Sequence, residues 1–121
     1  MTAASCPPID NDEEATARFT EALHSFYGDK ATETVLLMDL DITADDFVLL
    51  GQPPGKKAIP YVYWNYGVTP RAEYDKAEKD GTLRDLPFNH NPRFAPEIEP
   101  SLRAGIEGLA IASVVFFERR A

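Results

Sequence analysis

Ile59-Pro60-Tyr61-Val62-Tyr63-Trp64-Asn65-Tyr66-Gly67-Val68 decides how the fold is read. Aromatic and β-branched residues dominate it, the types that suit a pleated, half-buried surface. It predicts the strongest strand of the chain, with Tyr61, Tyr63, Trp64 and Tyr66 as sheet-core aromatics. Val35-Leu36-Leu37-Met38 is a second, shorter candidate for a buried strand.

Helical patterns surround these two runs. Asn11 can cap a helix, with Glu14 at the capping-box position and acidic residues 12–14 at the positive end of its dipole. Ala15, Phe19, Ala22, Leu23 and Phe26 recur at helical spacing, and Gly28 supplies a stop. His24 falls off that stripe and reads as solvated. A loop leads into a short helix from Asp45 to Leu50. Arg71 to Asp80 carries a weak stripe of Ala72, Tyr74 and Ala77, ended by Gly81. Glu99-Pro100 starts a last helix with proline at its first helical position, and Leu102, Ile106, Leu109, Ala110, Val114 and Phe117 line one broad face of it. Gly105 and Gly108 on that helix predict close packing against a neighbour.

The order is helix, strand, short helix, strand, helix, loop, helix. It predicts an α/β fold in which helices pack on a small incomplete sheet. Two or three strands make a poor sheet alone. A protein partner covering an open sheet is therefore expected. Residues 1–10 read as a tail or linker remnant, and residues 11–121 as one partial domain.

Composition narrows the function classes. Hydrophobic content of 44% and charged content of 26% are ordinary for a globular domain. The net charge of −8 argues against nucleic acid and against anionic membranes. Cys6 is the single cysteine, so neither an intrachain disulfide nor a cysteine zinc cluster can form. A free thiol and the lack of a secretory pattern lead to the expectation of a cytoplasmic protein. The apolar run from Leu109 to Phe117 is too short to span a bilayer by itself.

Two tempting motifs fail. A calcium loop starting at Asp39 would need glycine at Ala44 and glutamate at Leu50. The run from Gly51 to Lys57 has the wrong glycine spacing for a phosphate loop and lacks the Ser or Thr after lysine.

Asn89-His90-Asn91-Pro92-Arg93-Phe94 is the most suggestive chemical motif. Pro92 stiffens it, and Pro87 and Pro96 bracket it. A histidine on a rigid connection can serve as one fixed metal ligand, although a surface or hydrogen-bonded role is the commoner one.

Taken in order, four stretches resemble the last part of the catalytic domain of zinc-dependent amidohydrolases, the metallopeptidase-related family of hippurate hydrolase, aminoacylase and indole-acetyl-amino-acid hydrolases. Asn11 to Thr16 resembles the start of the helix after the family's lid domain. Thr43-Ala44-Asp45-Asp46-Phe47 resembles its Gly-Ser-Glu-Asp-Phe segment. Pro60 to Gly67 resembles its strand ending in a glycine turn, and Asn89 to Phe94 its Asn-His-Ser-Pro-Arg-Phe. The resemblance covers roughly nine tenths of this chain but only about the last quarter to third of a typical member.

That resemblance implies the C-terminal half of a zinc-exopeptidase-like α/β/α catalytic domain. It implies His90 as a metal ligand for zinc or another divalent metal in a complete relative. Asp45, Asp46, Phe47, Gly67, Asn89 and Arg93 would shape the pocket or support the ligand. Asp45 stands where the family has glutamate, and Thr43, Ala44 and Val68 also depart from its pattern. The substrate implied is an N-acyl amino acid or short peptide, attacked by metal-activated water. The family's other ligand motifs, its glutamate base and its lid do not occur in these residues. The expectation is thus a fragment inactive alone. The rival expectation is an interaction or regulatory module associating with a full-length relative.

Overall fold

The computed structural model describes residues 8–36, 46–53 and 55–118. They form α1 (Glu13–Tyr27), a 3₁₀ turn (Gly28–Lys30), α2 (Ala31–Thr34), α3 (Phe47–Gly51), α4 (Arg71–Asp80), a second 3₁₀ turn (Leu83–Asp85) and α5 (Ile98–Phe117). Helix accounts for 59% of the described residues, and none of them is in a strand. The expected α/β fold with helices on a small incomplete sheet is therefore wrong: the described residues are all-helical and form no sheet. Two compact units divide the chain, one built from residues up to Trp64 and from Ile111 onward, the other from Asn65–Ala110.

In the first unit α1 is capped by Asp12, whose side chain accepts the Ala15 N–H at 2.8 Å. The predicted cap, Asn11, lies one residue earlier and does something else. Its side-chain oxygen accepts the Tyr63 N–H at 2.7 Å, and its side-chain nitrogen donates to the Tyr63 carbonyl at 2.9 Å. The Asp12 N–H donates to the Tyr61 carbonyl at 3.0 Å. Gly28 ends α1 as predicted, with φ of 57° and its N–H on the His24 carbonyl.

These bonds explain why the Ile59–Val68 run is not a strand. Pro60 has no N–H to give a ladder. Tyr63 finds donor and acceptor in one side-chain amide, so a neighbouring strand is not needed to satisfy it. The alternation that predicted a strand is nevertheless real. Val62 joins the buried cluster of Phe19 and Ala112, and Trp64 packs on Phe19 with ring centres 4.9 Å apart. Tyr61 and Tyr63 meet Phe47 of α3 instead, at 5.6 and 5.5 Å. Helical elements, not strands, take both sides of the segment. Of the shorter strand candidate, Val35 is the extended C-cap of α2 and Leu36 is exposed; Leu37 and Met38 lie outside the described residues.

The same unit holds the C-terminal end of α5. Arg18 donates to the Val115 carbonyl, one of the orphan acceptors of that helix end, and stacks over the Phe116 ring at 5.6 Å.

In the second unit α4 ends at Gly81, left-handed at φ 70°, whose N–H closes on Ala77 and Glu78. Ala77 is the buried residue of α4. The Glu97 N–H donates to the Val68 carbonyl at 2.9 Å just before α5 begins. The helix starts at Ile98, so Pro100 falls in its first turn but not at its first position. Tyr66 lies over Gly105, 3.2 Å from where a Cβ would stand. The close packing predicted from that glycine is thus present.

Candidate functional site

The expected site residues are placed in different surroundings. His90 sits in an exposed turn with φ of 71°, the left-handed region that non-glycine residues enter at a cost. The turn is built by Asn91, whose N–H donates to the Phe88 carbonyl at 3.0 Å and whose side-chain oxygen accepts the Arg93 N–H at 2.9 Å. This asparagine, adjacent to the proline, sets the loop, as Asx turns do. Asn89 is exposed beside it.

Arg93 is exposed and lines a cleft of about 120 Å³ with Val68, Thr69, Pro70, Glu73, Pro87, Phe94 and Ala95. That volume is well below the roughly 300 Å³ at which small-molecule pockets begin. Gly67 is exposed with nothing near its missing Cβ, so no close backbone approach occurs there.

Asp46 and Phe47 belong to the other unit. The Asp46 carbonyl accepts the Leu49 N–H at 3.0 Å, opening α3, and its side chain makes no cap bond. Phe47 is half-buried against Tyr61 and Tyr63, a packing position. Asp45 lies outside the described residues. Among the described residues, no three His, Cys, Asp or Glu side chains stand close enough to hold a metal ion.

The sequence reading missed the outward surface of α5. Ser101, Gly108 and Ala112 are its buried positions, with Ala104, Gly105, Ile111 and Val115 half-buried. The large residues of its first half lie on the adjoining flank: Ile98 is 77% exposed, Leu102 58%, Ile106 59% and Leu109 61%. The first half of the helix therefore packs through small residues and leaves its bulky ones to solvent. A signal existed in the sequence, since Ser101, Gly105, Gly108 and Ala112 recur at intervals of four, three and four. That spacing marks a face made for close approach, and the stripe of Ile98, Leu102, Ile106 and Leu109 lies beside it, about a quarter turn round the helix.

By length and composition α5 could cross a bilayer, with a mean hydropathy of 1.3 over its best window. It also carries Glu99, Arg103 and Glu107. Glu99 and Arg103 face each other one turn apart at 4.0 Å, both largely exposed.

No family model, no curated protein and no solved structure matches this chain.

Proposed function

We propose that the chain is an interaction module that presents the bulky stripe of α5 to a protein partner. The observation that supports this reading is the exposure of Ile98, Leu102 and Ile106 along one helix face. Burying a side chain of this size is worth about 1.5–3 kcal/mol, and the fold forgoes that gain at three positions in a row. Isolated exposed leucines need no explanation, but an aligned set does. Charged residues in the first half of the helix favour a protein over a bilayer interior. Arg103 would cost roughly 2.5–3.5 kcal/mol at the centre of a membrane.

Metal-dependent amide hydrolysis remains the alternative carried by the Asn89–Phe94 motif. No group of three His, Cys, Asp or Glu that could hold a metal stands among the described residues, so this reading would need further ligands from elsewhere.

Binding of a hydrophobic dye tests the module reading. The wild-type chain at micromolar concentration should bind the dye, and a Leu102→Ser, Ile106→Ser double variant should lose most of the signal with unchanged helical circular dichroism. Absence of dye binding in the wild-type monomer, or equal binding by the variant, would show that this face is not available.

A further inference from the structure

We draw no further inference here: the strongest candidate, the exposed apolar flank of α5 formed by Ile98, Leu102 and Ile106, already carries the proposed function, and nothing in the structure shows what covers it.

Discussion

The Asn11 side chain pairs with both backbone polar groups of Tyr63, accepting from its N–H at 2.7 Å and donating to its carbonyl at 2.9 Å. One amide thus does what a neighbouring strand would do, across 52 positions of sequence. Asn11→Ala removes both bonds and strands a part-buried donor and acceptor. The expected destabilisation is about 1–3 kcal/mol, read from the urea midpoint. Asn11→Asp keeps the acceptor and should fall between. Equal midpoints for wild type and Asn11→Ala would refute this account of the segment.

Gly51 is buried beneath the Tyr61 ring, and an added Cβ would stand inside that ring's contact surface. Its carbonyl also accepts the Ile59 N–H at 2.8 Å. Gly51→Ala should therefore cost about 1–3 kcal/mol through overpacking. The test is a double-mutant cycle with Tyr61→Ala. In that background Gly51→Ala should cost much less, because the clash is gone. Additive effects in the cycle would place the cause elsewhere.

Ser101 is 6% exposed on the inward side of α5, and its hydroxyl has no hydrogen-bond partner among the described residues. Removing a buried hydroxyl that bonds to nothing loses little, and alanine favours the helix more than serine. Ser101→Ala is expected to be neutral or to stabilise by up to about 1 kcal/mol. A loss above about 1 kcal/mol on thermal or chemical unfolding would reveal a partner for that hydroxyl.

His90 adopts φ of 71° in an exposed turn. A left-handed residue with a Cβ costs about 1 kcal/mol relative to glycine, so His90→Gly should raise stability by several tenths to about 1 kcal/mol. Zinc titration by calorimetry adds an independent reading. One fixed imidazole should give weak, ill-defined heats in both proteins. A tight stoichiometric site present in the wild type and absent from His90→Gly would return this residue to the role of metal ligand.

Local signals were legible and global ones were not. Gly28 and Gly81 stop α1 and α4 as their sequence positions foretold, because glycine alone enters the required φ without strain. Tyr61 to Trp64 alternate as a strand would. Alternation, however, reports only that two sides of an extended segment are covered, not that strands cover them. The missing partner was hidden in Asn11, whose amide could equally have capped a helix. On α5 the apolar periodicity defined one broad face but not which way it turns. Ser101, Gly108 and Ala112 took the inner face, with Gly105 half-buried beside them. The amidohydrolase-like motifs gave no warning that Asp46 and Phe47 fall in one unit, and Gly67, Asn89, His90 and Arg93 in the other.

The bond from Arg18 to Val115 joins positions 97 apart, and Phe19 is covered by Trp64, Ala112 and Phe116. During synthesis α1 can therefore wind early but cannot consolidate until the last turns of α5 have left the ribosome. Contacts this distant in sequence carry a large loop-closure cost and slow folding even in helical proteins. Until then Trp64 can cover one side of Phe19, while the side that Ala112 and Phe116 will take stays open.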